Sequence, residues 1–204
     1  VAVGNLLTYD GPVGETVVSW SLNAPSVAAG EERRAPSLEA RLRAAAQCRQ
    51  RGYRIGLHFD PLFFFPGWED EYRRTVAMIF SFLDPGDLIW ISLGAFRYLP
   101  PMREVIRQRH PESRIIYQEF IRGLDGKRRY FAEIRRQLYR HLVGEIRRRA
   151  PEVFIYFCME HEQLWLDVFG RAPADNDELA AWLDHCCYRH RELAARAPAG
   201  AGAG

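Results

Sequence analysis

Five short apolar runs alternate with longer segments of helical periodicity along the 204 residues, and this alternation restricts the fold more than any other feature. The runs are rich in β-branched and aromatic residues, as strands are, and each intervening segment is long enough for a crossover between parallel strands. The predicted strands are 16–22, 54–59, 87–93, 114–119 and 153–159. The pattern predicts an α/β domain with a parallel sheet, either a doubly wound sheet or a (β/α) barrel.

The helical segments carry recognisable start and stop signals. Helices are predicted at 37–51, 68–83, 101–109 and 130–149, and again after residue 159. Ser37 is a suitable N-cap, and Gly52 suits the left-handed position that follows a helix. The last residues, 197–204 (APAGAGAG), are expected to form a disordered Gly/Ala tail. We therefore expect one domain over 1–196.

Polar side chains stand at or just beyond the carboxyl ends of all five predicted strands, where open α/β sheets and barrels bind ligands. They are Ser21 and Asn23, His58 and Asp60, Ser92 and Arg97, Glu119, and Glu160 and His161. His58 and Asp60 share a face because alternate strand residues do so. One such residue would more often be a structural hydrogen bonder, but the repetition over five strands predicts a shared site.

Positive charge is concentrated in one part of the chain. The formal net charge is only +2, yet residues 122–149 contain ten Lys or Arg and three acidic residues. This excess suits a phosphate-bearing partner, although a solvated Arg-rich helix face has the same composition. The Gly-bracketed loop 123–126 is followed by Lys127, Arg128, Arg129 and Tyr130, which offer phosphate contacts and a ring for stacking on a base.

Composition and termini give weaker indications. No stretch approaches the roughly 20 apolar residues of a membrane span, and no signal peptide is visible. The four cysteines lack framework spacing, which predicts a cytoplasmic protein. The chain begins with Val1 rather than Met, so we expect a fragment of a longer protein.

Two alternative functions follow from the residues alone. His58 and Asp60 are compatible with a zinc or iron site completed by Glu119, Glu160 or His161, which would make a metal-dependent (β/α)-barrel hydrolase using His58, Asp60 and Glu160. The second alternative is a non-catalytic domain that binds nucleic acid. Phosphate-binding, dinucleotide-binding and nucleophile-elbow motifs are absent from the sequence.

Several longer blocks resemble the spore photoproduct lyase family of radical S-adenosylmethionine (SAM) enzymes. They are VVSWSLN (17–23), RLRAAAQCRQRGYRIGLHFDPL (41–62), GWEDEY (67–72), DLIWISLGAFR (87–97), GLDGKRRYF (123–131) and IYFCME (155–160). The resemblance covers about 150 residues in the family order. It implies a partial (β/α) barrel that holds a [4Fe-4S] cluster and cleaves SAM reductively to a 5′-deoxyadenosyl radical, which reverses a UV-induced thymine dimer in DNA.

The resemblance also implies roles for particular residues. Ser21, Asn23, His58 and Asp60 would contact SAM across the strand ends, and the loop from Lys127 through Arg128 and Arg129 to Tyr130 would approach damaged DNA. A reductant protein such as a flavodoxin or ferredoxin would supply electrons, and no membrane partner is expected.

The sequence departs from the family in two respects. The cluster motif C-x3-C-x2-C is absent, and in the family it lies upstream, as does the hydrogen-donating cysteine. The chain is therefore expected to supply cofactor and substrate walls of a barrel truncated at its N-terminus, and to be inactive alone. Asp60 stands where relatives that repair spore DNA carry a small residue, which makes a distinct substrate an open alternative.

Overall fold

The computed structural model describes residues 1–196, with side chains as far as Tyr188. The strands are β1 Val17–Ser21, β2 Arg54–Leu62, β3 Leu88–Ala95, β4 Arg97–Tyr98, β5 Ile121–Arg122, β6 Arg128–Arg129 and β7 Phe154–Phe157. The α-helices are α1 Gly4–Leu7, α2 Pro25–Gly30, α3 Leu38–Gln50, α4 Trp68–Phe82, α5 Met102–Arg109, α6 Ala132–Arg147, α7 Glu162–Phe169 and α8 Asn176–Arg196. A 3₁₀ turn, Pro85–Asp87, precedes β3.

The main sheet has four parallel strands in the spatial order β1-β2-β3-β7. This order is also the order of the strands along the chain, so every crossover moves in the same direction. A separate antiparallel sheet of three two-residue strands, β4-β6-β5, contains a hairpin formed by β5 and β6. The predicted α/β fold with a parallel sheet is confirmed.

One face of the main sheet is apolar and covered by helices. Its side chains, which include Leu57, Phe59, Ile91, Leu93 and Phe157, are fully buried. Helix α3 packs against β1 and β2, and α6 packs against β3. This face forms the hydrophobic core, which leaves the opposite face of the same strands for other roles.

The residues at the helix ends stabilise them as expected. The Ser37 Oγ accepts a hydrogen bond from the Ala40 N–H (3.2 Å) and caps α3, while Gly52 after this helix has a left-handed φ of 102°. Helix α4 begins with Glu69, Asp70 and Glu71, whose charges favour the positive end of the helix dipole.

The predicted strand 114–119 is wrong. The Ser113 N–H donates to the His110 carbonyl (3.0 Å) and the Tyr117 N–H donates to the Arg114 carbonyl (3.1 Å), so the segment folds into consecutive turns. Ile116 alone among 114–119 is fully buried. These local bonds replace the ladder that an extended chain would need.

Three further expectations concern the ends and surface of the chain. The predicted tail at 197–204 lies outside the described residues. Within the described part, no helix is both long and apolar enough to cross a bilayer. None of the four cysteines, all of which have described side chains, forms a disulfide bond.

Candidate functional site

The second face of the main sheet carries polar side chains that line up across all four strands. Ser21 in β1 pairs with His58 in β2, His58 pairs with Ser92 in β3, and Ser92 pairs with Tyr156 in β7. Ser21 is exposed, and His58 and Tyr156 are half-buried. We call these four residues the polar row.

The middle of the polar row is hydrogen-bonded. The His58 Nδ1 lies 2.5 Å from the Ser92 Oγ, and Tyr156 is also hydrogen-bonded to Ser92. Burial lowers the pKa of His58, with the charge of Asp60 acting in the opposite direction. Burial raises the pKa of Tyr156. At neutral pH the row is therefore uncharged and presents both donors and acceptors.

Asp60 lies on the same face, nearer the carboxyl edge, and is held by Arg97. The Arg97 Nη1 and Nη2 donate to the two Asp60 oxygens, each at 3.2 Å. The Cys158 thiol lies 3.5 Å from the Arg97 Nη2, and burial together with the adjacent Asp60 raises its pKa. Gly94 makes room for this group, because a Cβ on Gly94 would lie 2.6 Å from the Asp60 Cγ.

On the amino-terminal side of the polar row, the side chains of Ser19 and Trp90 lie directly over Gly56. A Cβ on Gly56 would lie 2.5 Å from the Ser19 Oγ and 2.6 Å from the Trp90 Nε1. The Trp90 Nε1 is buried and has no partner among the described residues. An unsatisfied buried donor of this kind calls for an explanation, and an absent ligand is one.

Helix α8 covers the amino-terminal end of this face. It contacts β3, and Arg54 at the start of β2 donates to the Cys187 carbonyl (3.0 Å). Ser19 and Ser21 remain exposed. The carboxyl-terminal part of the face carries Asp60, Arg97 and Cys158, which are all partly exposed.

Asn23 belongs to the loop network behind this edge. Its Nδ2 donates to the Glu32 Oε1 (3.2 Å) and the Pro61 carbonyl (3.0 Å), and its Oδ1 accepts from the Ala24 N–H and the Tyr72 hydroxyl, both at 3.0 Å. Its side chain has no bonding capacity left for a cofactor.

The remaining strand-end residues are engaged elsewhere. Glu160 is ion-paired with Arg135 and accepts from the Tyr139 hydroxyl (2.6 Å). The His161 Nδ1 accepts from the Gln163 N–H (3.2 Å) and caps α7, and Glu119 is exposed in the irregular segment before β5. Residues with described side chains contain no His, Cys, Asp and Glu cluster able to hold a metal ion. The hydrolase alternative is not favoured.

The four predicted substrate residues lie in or just after the hairpin of β5 and β6, and they differ in exposure. Arg128 is exposed and Lys127 is half-exposed. Arg129 is ion-paired with Asp125 (2.5 Å). Tyr130 is 0 % exposed: its ring stacks on Phe120, and its hydroxyl oxygen accepts a hydrogen bond from the Phe64 N–H (3.3 Å). Its ring is not available for stacking on a base in this arrangement.

Part of the positive charge in and around α6 is paired with acidic side chains of the protein. The side chain of Glu145 is 2 % exposed and is ion-paired with Arg73, Arg148 and Arg149. Arg136 is ion-paired with Asp167 (2.7 Å). The charge excess seen in the sequence is therefore partly a set of structural ion pairs, and the hairpin carries exposed cations.

Sequence reasoning missed several members of the site. Tyr156 and Cys158 alternate along β7 and its end, so they share the face of the polar row; the period-two spacing of IYFC contains this signal. Gly56, Gly94 and Trp90 carry no signal of their own, because their role depends on which residue lies opposite on the next strand.

A parallel sheet with a polar face open at its carboxyl edge defines an α/β protein of the class that binds ligands beyond the ends of its strands. The spore photoproduct lyase family model matches residues 2–157. The chain belongs to the spore photoproduct lyase family.

Individual relatives agree with this assignment. The spore photoproduct lyase of Bacillus subtilis (strain 168) is 29% identical over 120 residues, and that of Geobacillus sp. (strain Y412MC61) is 29% identical over 119 residues. Each match covers 57% of this chain and 33% of the relative. The chain thus spans about a third of the length of these curated relatives.

Solved structures show the same similarity. Spore photoproduct lyase complexed with dinucleoside spore photoproduct has a TM-score of 0.68 and 26% identity, and the match covers 77% of this chain and 48% of that one. A double mutant with bound AdoMet and dinucleoside spore photoproduct has a TM-score of 0.67 and 25% identity, with the same coverage.

Proposed function

We propose that this chain forms the cofactor-facing and lesion-facing wall of a radical SAM lyase that repairs UV-induced thymine dimers in DNA. The observation that carries the proposal is the polar row on an accessible sheet face in a chain of the spore photoproduct lyase family. A solved relative binds AdoMet and the dinucleoside lesion together.

The proposed architecture is a partial (β/α) barrel. Crossovers that all move in one direction are expected of a barrel segment, whereas a doubly wound sheet reverses direction at a switch point. In a barrel the polar row would face the interior, where side chains of several strands meet around one ligand.

The residues present fit SAM. SAM carries a zwitterionic amino acid, a ribose and an adenine, which need both donors and acceptors. Ser21 and the neutral His58 would bond its polar groups, Asp60 would accept from a hydroxyl or amino group, and the unsatisfied Trp90 N–H would find an acceptor. When bound and reductively cleaved, SAM supplies the radical that starts the lyase chemistry.

The [4Fe-4S] cluster does not fit the described part of this chain. Cys48 is buried in the core behind the apolar face, and the described residues contain no cluster of three suitable ligands. We therefore place its ligands outside this chain and assign no cluster chemistry to the residues here. A reductant such as a flavodoxin or ferredoxin belongs to the same proposal.

The proposed DNA contact is the hairpin. Lys127 and Arg128 would bind phosphates, while Arg129 and Tyr130 would hold the hairpin in place. The proposed compartment is a reducing cytoplasm, which suits four cysteines that form no disulfide bond.

The first test is equilibrium binding of SAM to the chain by calorimetry, with Asp60→Ala and the distant Asp10→Ala as matched variants. We expect SAM to bind and Asp60→Ala alone to weaken binding. Equal affinity of both variants would remove Asp60 from the cofactor site. The gene product that contains this chain is then reduced anaerobically with dithionite and assayed for 5′-deoxyadenosine, and no product from the iron-loaded protein would overturn the radical SAM assignment.

A further inference from the structure

A cavity of about 580 Å³ lies beyond the end of β2 and is not part of the polar row. Its lining includes Phe64, Phe65 and Trp68 from the start of the β2–α4 connection and α4, and Gln118 and Glu119 from the segment before β5. None of the residues assigned above to SAM or to phosphate lines it. The cavity is therefore separate from both of those proposed sites.

Three aromatic side chains, Phe64, Phe65 and Trp68, stand in the walls of the cavity. The rings of Phe64 and Trp68 lie 5.9 Å apart at 43°, and Phe64 also meets Tyr130 edge-on at 6.5 Å. Trp68 is fixed in turn by His141 (5.0 Å). Rigid rings of this kind bind flat π-systems, because stacking costs them little conformational entropy.

The polar groups at the walls are nearly all acceptors. The Gln118 Nε2 donates to the Phe64 carbonyl, which fixes the amide orientation and leaves the Gln118 Oε1 as an acceptor. This oxygen is buried and has no partner within the described part of the chain. Glu69 and Glu119 add carboxylates, and the only side-chain donor among these residues besides the engaged amide is the indole N–H of Trp68.

The position of the cavity links it to the hairpin. The hydroxyl of Tyr130, the residue that follows β6, is bonded to the Phe64 N–H at 3.3 Å. The same short strand carries the exposed Arg128. A strand of DNA held by its phosphates at the hairpin would thus have a base within reach of the aromatic walls.

We propose that this cavity binds a nucleobase that carries an exocyclic amino group, adenine in particular. The rings would stack on the base, and the Gln118 Oε1 would accept a hydrogen bond from the amino group. The inference rests on the proposed function: thymine pairs with adenine, so the bases opposite a thymine dimer carry this amino group. Thymine has no amino group, and the two carbonyl oxygens that flank its imide N3–H would face the acceptors of the walls.

The test is calorimetric binding of adenosine and thymidine to the chain and to three variants. Gln118→Met removes the acceptor and keeps the side-chain length, Phe64→Leu removes a ring, and Gln108→Met makes the same change as the first variant on exposed α5. We expect adenosine to bind about fivefold more tightly than thymidine, Gln118→Met to abolish this preference, and Gln108→Met to keep it. Phe64→Leu should weaken both nucleosides.

Two results would overturn the inference. One is that the two nucleosides bind equally, or that neither binds, and that Gln118→Met behaves like the parent protein. Circular dichroism would show in either case that both proteins are folded. The other is tighter binding of N-acetylarginine amide, lost in Phe64→Leu, which would make the cavity a receptor for a cationic protein side chain.

A parallel experiment separates this inference from the proposed function. Affinities for oligodeoxyadenylate and oligodeoxythymidylate of equal length are compared with and without Lys127→Gln/Arg128→Gln. If neither strand binds while adenosine preference and its dependence on Gln118 persist, the DNA partner fails and the base site stands. If both bind with equal affinity in the parent and in Gln118→Met, the DNA partner stands and the base site fails.

Discussion

The guanidinium of Arg97 meets the carboxylate of Asp60 in two parallel hydrogen bonds, Nη1 to Oδ1 and Nη2 to Oδ2, each 3.2 Å long. The two side chains are 15% and 24% exposed, so the pair is only partly screened by water. Bidentate pairing fixes the orientation of both groups. Asp60 is therefore presented at the edge of the sheet in one defined direction.

Arg97→Met should destabilise the chain by about 1–2 kcal/mol, because it leaves the Asp60 carboxylate partly buried without its partner. Asp60→Ala should remove most of that penalty in the double variant. Urea unfolding of the two single variants and the double variant measures the coupling, expected at about 1 kcal/mol. If the two single changes add up to the effect of the double variant, the interaction between Arg97 and Asp60 does not stabilise the fold.

Gly94→Ala should destabilise the protein by about 1–3 kcal/mol, since its Cβ would lie 2.6–2.8 Å from the Asp60 carboxylate and something must shift. The matching second change is Asp60→Ala, which opens the space. Thermal unfolding should show partial recovery in Gly94→Ala/Asp60→Ala. A double variant less stable than Gly94→Ala would locate the clash elsewhere.

His58 should make stability depend on pH. Its pKa in the folded chain is lowered from 6.5 by burial, so the unfolded chain binds the proton more readily. Stability is then fully present above pH 6.5 and falls as pH drops towards the folded pKa, below which the loss levels off. His58→Gln should flatten this difference in urea unfolding between pH 5 and pH 8, a range of about three units around the ordinary histidine pKa. An NMR titration of His58 with a pKa at or above 6.5 would contradict it.

Glu145 should contribute more to the free energy of unfolding than an exposed acidic residue does. Burial raises its pKa, but Arg73, Arg148, Arg149 and His141 outweigh that effect and the net shift is downward. We expect Glu145→Gln to cost about 1–3 kcal/mol at pH 7, with the difference from the parent shrinking as the pH falls through the lowered pKa.

The control for Glu145 is Glu39→Gln, which breaks an exposed pair with Arg43 (2.6 Å) on α3. That change should cost no more than about 0.5 kcal/mol. Urea unfolding measures both variants. Equal decreases in the free energy of unfolding would show that the buried Glu145 contributes no more than the exposed Glu39.

Neutralising the exposed cations of the hairpin should reduce the salt dependence of DNA binding. Lys127→Gln/Arg128→Gln removes two phosphate contacts and should lower the slope of log K against log salt by about 1.4–1.8. Arg43→Gln/Arg51→Gln makes the same charge change on α3 and at its end. Fluorescence anisotropy across a salt series provides the measurement, and an equal slope change in both double variants would leave the hairpin without a specific role.

The sequence pattern was sufficient to predict the four strands of the main sheet. Strands at 16–22, 54–59, 87–93 and 153–159 were predictable because apolar runs and crossover helices alternate, and their ends located Ser21, His58, Asp60 and Arg97 together. The segment 114–119 has the same composition, but turn hydrogen bonds at His110 and Arg114 decide its conformation. Composition does not distinguish the two outcomes.

The sequence pattern did not predict which side chains contact one another. Asn23 was expected beside the cofactor, yet the Tyr72 hydroxyl, delivered from α4, takes up one of its acceptor positions. Tyr130 was expected to face a base, and it is buried because Phe120 and Phe64 lie under the hairpin. Both outcomes depend on the packing of distant segments, which no local signal specifies.

The match between strand order in the sheet and strand order along the chain has a consequence for how the protein is made. Within the main sheet, each strand after β1 pairs with the main-sheet strand that precedes it along the chain, so none has to be inserted between two strands that are already paired. Contacts of short sequence separation close loops at low entropic cost. The described part of the sheet can therefore grow at one edge, from β1 to β7, as the ribosome releases successive βα units.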